Sequence, residues 1–274
     1  MIFARRSAIY LILVALATLF IGPFGWLIIT ALKSSSELTA YPVHWLPASW
    51  QFGNFSRALN FIPFLGYARN SLIIATIYSV LITISSAWAG FGFARLTAPG
   101  KKVLFGVLLS TMMMPAMITL IPTYIIFAKL GMIDTYWPWV LWGLAGAPYL
   151  IFLFRQFFSN MPQELEEAAI VDGCGYGRIF WRIFLPQSWP VLATSMVLSF
   201  SWSWGDYIAP SLLLSTDRTT LAVAVATQYT NPANDTPVNE VIAAGSVLYI
   251  IPVLVLFLIL QRGFVSGVAT SGLK

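Results

Sequence analysis

The stretch Ser159–Gln187, SNMPQELEEAAIVDGCGYGRIFWRIFLPQ, is a polar island between two apolar runs, Trp137–Phe158 before it and Trp189–Pro210 after it. It holds four of the chain's ten acids, Glu164, Glu166, Glu167 and Asp172, together with Arg178 and Arg182. The pattern predicts two short amphipathic helices. Asn160 is the expected N-cap of the first, with Pro162 in its opening turn and Gln163 three residues after the cap. The glutamates then fall in the early turns, where the helix dipole favours negative charge. Gly173 and Gly175 are expected to end that helix, because glycine accepts the left-handed conformation of a chain reversal. A second helix, Tyr176–Phe184, is expected to stop before Pro186.

Outward from this island the sequence is that of a membrane protein. Of 274 residues 58% are hydrophobic and 9% are charged, against about 25% charged in a soluble domain. A water-soluble globule and a disordered chain are thereby excluded. The apolar residues gather into runs of about twenty, enough to cross a hydrocarbon core about 30 Å thick. They lack the alternation of barrel strands, so the spans are helical. Six are expected: residues 8–32, 70–93, 103–127, 137–158, 189–210 and 241–260. The first follows Arg5 and Arg6 but exceeds the roughly 7–15 apolar residues of a signal core, so it is read as a retained helix. Pro115 and Pro122 are expected to kink the third span. Met112–Met114 and Met117 read as its packing residues.

Orientation follows from the basic residues of the short connections. With the N-terminus inside, the inner connections carry ten: Arg5, Arg6, Arg95, Lys101, Lys102, Arg155, Arg178, Arg182, Arg262 and Lys274. The outer ones carry five: Lys33, Arg57, Arg69, Lys129 and Arg218. Both termini are therefore expected on the cytoplasmic side. This bias accounts for the net charge of +5, and no clustered basic, aromatic-interleaved surface suggests nucleic acid. The long outer connections, 33–69 and 211–240, are too short to be domains, so residues 1–274 read as one transmembrane domain. His44 beside Trp45 reads as a solvated turn residue. Cys174 has no partner for an intramolecular disulfide.

The island also carries a resemblance. Glu167-Ala168-Ala169, three residues, Gly173, nine residues, Ile183, one residue, Leu185-Pro186 resembles the EAA loop of binding-protein-dependent ABC importer permeases, E-A-A-x3-G-x9-I-x-L-P. All seven fixed positions over 20 residues are met. Other stretches are similar to the carbohydrate branch, the type of the maltose permease's smaller partner: Phe64–Leu72 with Asn70-Ser71, Phe93-Ala94-Arg95 with Pro99-Gly100-Lys101, Met114-Pro115, Ile121-Pro122, Asp134-Thr135-Tyr136, Phe152–Phe158, and the tail from Arg262 to Lys274. In that branch the fifth span commonly reads Trp-Asn-Asp/Glu-Phe/Tyr before a proline, whereas here Trp204-Gly205-Asp206-Tyr207 precedes Pro210.

The resemblance implies an all-α type I importer permease fold in the inner membrane, with the loop 159–187 as a cytoplasmic coupling helix. It implies that Glu167, Ala168, Ala169, Asp172, Gly173, Ile183, Leu185 and Pro186 couple to an ATPase. The implied partners are two ATPase subunits, a second permease or a second copy of this chain, and an extracytoplasmic solute-binding protein. ATP and Mg would sit on the ATPases and no cofactor on this chain.

Among the spans the residues single out one further place. Asp206 is the only acid well inside a predicted span, and a centrally buried Asp costs about 2.5–3.5 kcal/mol on insertion scales. Ser199, Trp202, Ser203 and Asp206 stand at i, i+3, i+4 and i+7, one face of a helix. This face is the candidate solute pathway, with Trp202 offering a ring to a sugar and the polar groups its hydrogen bonds. The competing reading makes Asp206 an anchor for the fifth span. There is no G-x-x-x-x-G-K-S/T and no Cys/His metal set, so an enzyme is not expected, and a transport subunit is what the resemblance implies. A permease for another solute such as glycerol phosphate is an alternative. An ion-coupled transporter would require buried ionisable groups in several spans.

Overall fold

In hydrocarbon every backbone N–H and C=O has to find its partner within the protein, and a contiguous apolar run does so as a helix. The structure, a computed structural model, describes residues 2–271, less the side chains of residues 2–5, 7, 8, 116 and 262–271. The side chains of Arg5 and of the tail residues 262–271, and residues 272–274, thus lie outside the described residues. Among the described residues the elements are helical, with one isolated bridge between Thr230 and Pro237. In order they are α1 (Ile2–Ala31), α2 (Ser35–Leu38), α3 (Gly53–Phe61), α4 (Phe64–Arg95), α5 (Lys101–Thr111), α6 (Ala116–Lys129), α7 (Trp137–Ala145) and α8 (Pro148–Ser159). There follow α9 (Glu164–Val171), α10 (Tyr176–Ile179), a π-helical turn (Phe180–Phe184), α11 (Leu185–Gln187), α12 (Trp189–Trp204), α13 (Ile208–Leu213), α14 (Leu221–Thr227) and α15 (Asn239–Ser271).

Four stretches are long and apolar enough to cross a bilayer as they stand: Ile9–Ala31, Phe64–Arg95, Trp137–Ser159 and Asn239–Gln261. They match the first, second, fourth and sixth expected runs. The third run is built differently: α5 and α6 are separated by Met112–Pro115. Pro115 has no N–H and drives Met114 out of the helical region. The N–H groups of Met112, Met113 and Met114 fall back on carbonyls three residues earlier, each at 3.1 Å. Met112–Met114 and Met117 are exposed rather than packed within this chain. The fifth run is entered through a bend, Tyr176–Gln187 and Trp189–Trp204 meeting at 82°, and its helix ends at Trp204, short of the expected Pro210.

The chain forms two compact units, one from Met1–Ala68 and Leu221–Ile251, the other from Arg69–Thr220 and Pro252–Lys274. In the first unit Glu37 ties the connection after α1. Its carboxylate accepts hydrogen bonds from Ser34 N and Oγ, both at 2.8 Å, and from Ala48 N at 2.6 Å. The bonds from Ser34 and Ala48 hold its pKa down at about 2. Lys33, counted by charge as an outer residue, is only 2% exposed. Its ammonium donates to the carbonyl of His44 and lies 4.6 Å from the centre of the Trp26 ring. The His44 side chain itself is exposed, as expected.

The second unit packs by close approach of α4 to α7 and α8. A Cβ at Gly90 would lie 2.6 Å from Phe154 Cβ and 2.9 Å from Arg155 N, and one at Gly143 would lie 2.8 Å from Leu81 Cβ. Small residues are what let helices approach in this way where lipid supplies no hydrophobic driving force. The break between α7 and α8 at Gly146, φ +73°, exposes backbone groups that serines of α4 satisfy. Ser85 Oγ donates to Gly143 O at 2.7 Å, and Ser86 Oγ accepts from Ala147 N at 3.0 Å. At the far end of α4 a cluster forms from Ala87, Phe91, Phe154, Phe158, Ala169, Ile179, Phe180, Phe184 and Val191. Phe91 and Phe158 each meet Phe184 nearly edge-on, at 5.0 and 5.7 Å. Each such ring pair is worth about 0.5–1.5 kcal/mol beyond its burial.

The turn between α6 and α7 is tied to the segment after α13. Asp134, at φ +58°, accepts from Ser215 N at 2.9 Å and Ser215 Oγ at 2.7 Å. Arg218 donates to its carbonyl at 2.7 Å. These bonds, from Ser215 first, hold the Asp134 carboxyl below its ordinary pKa.

Two outcomes follow for stability. Gly90→Ala should destabilise the protein by about 1–3 kcal/mol, because the new methyl meets a Cβ and backbone, neither of which can swing aside. The melting midpoint in detergent should fall by several degrees, while Gly92→Ala, with only Leu96 Cδ1 at 4.0 Å, should not move it. Equal midpoints for the two variants would refute the close approach. The Asp134 tie binds fewer protons than the unfolded chain in the window between its lowered pKa and the ordinary value of about 3.9. Its stabilisation is therefore complete above the ordinary value and disappears as pH falls through the lowered one. The stability difference between the natural chain and Asp134→Ala should be constant from about pH 8 to 5 and shrink below about pH 4. A difference that grows on acidification contradicts the assignment.

Candidate functional site

The loop after α8 begins later than its sequence suggests. Pro162 keeps Met161 from the helical region, so α9 starts at Glu164, and the Gln163 carbonyl accepts from Glu166 N at 2.9 Å and Glu167 N at 3.0 Å. Asn160 instead closes α8, its N–H reaching Phe157 O at 3.1 Å. Glu164, Glu166 and Glu167 do occupy the first turn, where they oppose the positive end of the helix dipole.

The end of α9 is a Schellman turn. Gly173, at φ +78°, donates to Ile170 O at 2.9 Å, and Cys174 N reaches back to Ala169 O at 2.8 Å. Gly175 has no share in that turn. It is extended, at φ −77°, and opens α10, its carbonyl accepting from Arg178 N and Ile179 N. The chain then runs on past Pro186. At the π-helical turn Leu185 N bonds to Phe180 O, and Pro186 falls in the first turn of α11, where a missing N–H costs nothing. Ser188 then turns the chain into α12, its Oγ donating to Leu185 O at 2.7 Å.

The predicted coupling residues divide into two sets. Glu167, Ala168, Asp172, Gly173 and Pro186 are exposed. Ala169 is buried among the phenylalanines of the cluster, and Ile183 and Leu185 pack against it. Beside the exposed set stand Ile170 and Val171, the latter 86% exposed, so the tip of α9 presents an acidic and apolar surface.

Arg95, which the sequence offered as an inner charge and as part of the Phe93-Ala94-Arg95 turn, organises this loop. Its guanidinium side chain is 5% exposed and stands 3.8 Å from Glu166. It donates to Phe158 O at 2.7 Å and Met161 O at 2.5 Å, and lies over the Phe184 ring at 5.0 Å. One arginine at the end of α4 thus holds the end of α8, the start of α9 and the turn before α11. A single arginine closing an apolar helix, with an acidic run waiting in a later loop, was the available signal.

The pathway residues are brought together only in part. Ser199 is buried and bonded to Ser195 O at 2.6 Å, with Thr83 Oγ1 at 3.5 Å, and packs against α4. Because α12 stops at Trp204, Asp206 is not on its face. Its Oδ1 accepts from Ile208 N at 3.0 Å and Ala209 N at 3.2 Å, capping α13. Trp202, Ser203 and Asp206 nonetheless line one cavity of about 130 Å³ with Tyr78, Trp139 and Trp142. Asp206 also borders a second, of about 290 Å³, with Met117, Thr119, Thr123 and Trp142. Neither lining contains a lysine or arginine. Gly205, at φ −84°, has a conformation open to any residue, so the backbone does not demand glycine there.

A probable ABC transporter permease of Bacillus subtilis, YurM, is 32% identical over 268 residues, covering 97% of this chain and 86% of its own. The maltodextrin transport system permease protein MdxG of the same organism is 33% identical over 228 residues, covering 82% and 81%. In fold, the chain is similar to one in the crystal structure of a bacterial ABC transporter involved in the import of the acidic polysaccharide alginate. The TM-score is 0.78 at 23% identity, over 95% of this chain and 96% of that one. The model of the binding-protein-dependent transport system inner membrane component matches residues 79–270, from α4 through the arginine-held loop into α15, and the chain belongs to that family.

Proposed function

We propose that the chain is the permease subunit of an ATP-driven importer that passes a neutral sugar or polyol. Members of its family are membrane transport subunits, and ATP hydrolysis belongs to a partner ATPase. The observation that carries the coupling role is the division of the loop. Ala169, Ile183 and Leu185 are packed into the cluster around Phe158 and Phe184, while Glu167, Ala168, Asp172 and Gly173 face outward beside Val171. A rigid inner side and an outward side of small, acidic and apolar residues suit docking into a cleft of an ATPase. In this reading two ATPases, holding ATP and Mg, close against two such loops, one from a second permease or a second copy of this chain. Closure turns the spans toward a solute-binding protein outside, with both termini of this chain in the cytoplasm.

The sugar assignment is supported by the maltodextrin relative and by the cavities at Asp206. A carboxylate with tryptophans and no basic residue suits hydroxyl groups and an apolar sugar face, and repels a phosphate. This favours a neutral solute over glycerol phosphate. Ser203 lines the smaller of the two cavities beside Asp206.

Two measurements test the reading. Glu167→Lys should lower transport by about tenfold or more in the assembled complex. Retained ATPase binding with undiminished transport would sink the coupling role. Asparagine caps a helix as well as aspartate does, so Asp206→Asn preserves the anchor while removing the charge. It should raise the transport KM about tenfold with little loss of stability. An unchanged KM, together with impaired folding in Asp206→Ala, would make the residue an anchor alone.

A further inference from the structure

The first unit contains a polar cavity of about 640 Å³, within the roughly 300–1,000 Å³ of small-molecule sites. Its wall includes Gln51, Asn54, Arg57, Phe61, Asn231 and Glu240. The groups are set in a chain of fixed bonds. Asn54, buried in α3, donates both amide protons, to Ala31 O and Lys33 O, each at 2.9 Å. Its Oδ1 then accepts from Arg57 Nη1 at 3.3 Å, and the same nitrogen meets Glu240 Oε1 at 3.3 Å. Arg57 remains half exposed, while the Glu240 side chain is 4% exposed at the first turn of α15. Glu240 Oε2 has no hydrogen-bond partner, and a buried acceptor left open is destabilising until a donor reaches it. Phe61 is fixed from behind by Tyr229, ring centres 5.7 Å apart, and the Tyr229 hydroxyl is itself anchored to Ala58 O at 2.8 Å. The opposite rim is the tight turn in which Asn231 N bonds to Thr236 O at 2.8 Å and Asp235 N to Asn231 O at 2.8 Å.

We propose that this cavity is a saccharide-binding subsite, in which Arg57, Glu240 and Asn231 take the hydroxyls of a sugar and the Phe61 ring takes its apolar face. The inference rests on the sugar-permease reading and adds to it a site in the other unit from Asp206. The chemistry of the wall selects the ligand. Arg57 and Glu240 cancel in charge, so a free anion meets the carboxylate and a metal cation meets the guanidinium, and neither is favoured. Vicinal hydroxyls, each both donor and acceptor, suit the free N–H groups of the half-exposed Arg57, and a small turn of the Glu240 side chain brings its unpaired, buried oxygen within their reach. The volume admits a mono- or disaccharide unit.

The test uses the complete transporter, with its partner subunits, in lipid nanodiscs. Ser35, in the cavity wall and exposed, is replaced as Ser35→Cys, with Thr236→Cys as a second reporter should the first fail to assemble. Alkylation by a maleimide is followed by mass spectrometry on the peptide carrying the new thiol. Maltotriose, raffinose and trehalose are the probes, and glycine betaine is the osmotic control. A probe that is transported should slow alkylation about tenfold at ten times its KM. Glu240→Gln or Asn231→Ala added to the reporter should shift the protecting concentration upward about tenfold. Transport of a probe without protection overturns the subsite and leaves the sugar-permease reading standing. Protection that neither added substitution shifts also overturns it, since the slowing then comes from closure elsewhere. Failure to transport any saccharide, in a complex that transports another solute, removes the reading itself and the subsite with it.

Discussion

A single buried guanidinium holds the loop to the rest of its unit. Arg95 lies at the end of α4, where the helix leaves its apolar surroundings, and its donors are directed at Phe158 O, Met161 O and the Glu166 carboxylate. Removing one partner from such a buried pair typically costs about 3–5 kcal/mol, because the remaining charge is stranded. The aromatic cluster beneath gives α8, α9 and the π-helical turn a common floor, but edge-to-face rings are tolerant of rotation. The directional bonds of Arg95 supply the register that the rings do not, and so fix which residues of α9 turn outward.

The parts of the fold legible in sequence are those set by the solvent. Lipid permits few backbone solutions, so the runs at Ile9–Ala31, Phe64–Arg95, Trp137–Ser159 and Asn239–Gln261 were readable from hydropathy alone. The E-A-A spacing was readable because Gly173 must take a positive φ and Ala169 must fit among phenylalanines. What was not legible came from competition between neighbours. Asn160 had the chemistry of an N-cap, but Pro162 forbade the helix to start there. Pro186 had the chemistry of a stop, but the wide turn before it brought it to a position needing no N–H. Asp206 looked helical because the run stayed apolar, and the carboxylate itself provided the new start that lets the chain break at Gly205.

Long-range pairs were beyond any local pattern. Arg57 and Glu240 are separated by 183 positions and counted merely as charges in two outer connections. Only the folded unit shows that Asn54 aligns one against the other. The same holds for Asp134 and Arg218, where a turn residue at positive φ is held by the segment after α13.

The 82° bend at Ser188 decides in which direction a force on the loop is felt. A spanning helix resists sliding along its own axis, because each residue of travel, about 1.5 Å, drags polar ends into hydrocarbon or apolar ones into water. It resists sideways shift and tilt far less, since helix tilt varies widely among membrane proteins. With the loop segment nearly at right angles to α12, a push along that segment has almost no component along α12 and is spent on lateral movement. In the coupling proposed above, the bend would thus set a push from the loop across α12 rather than along it.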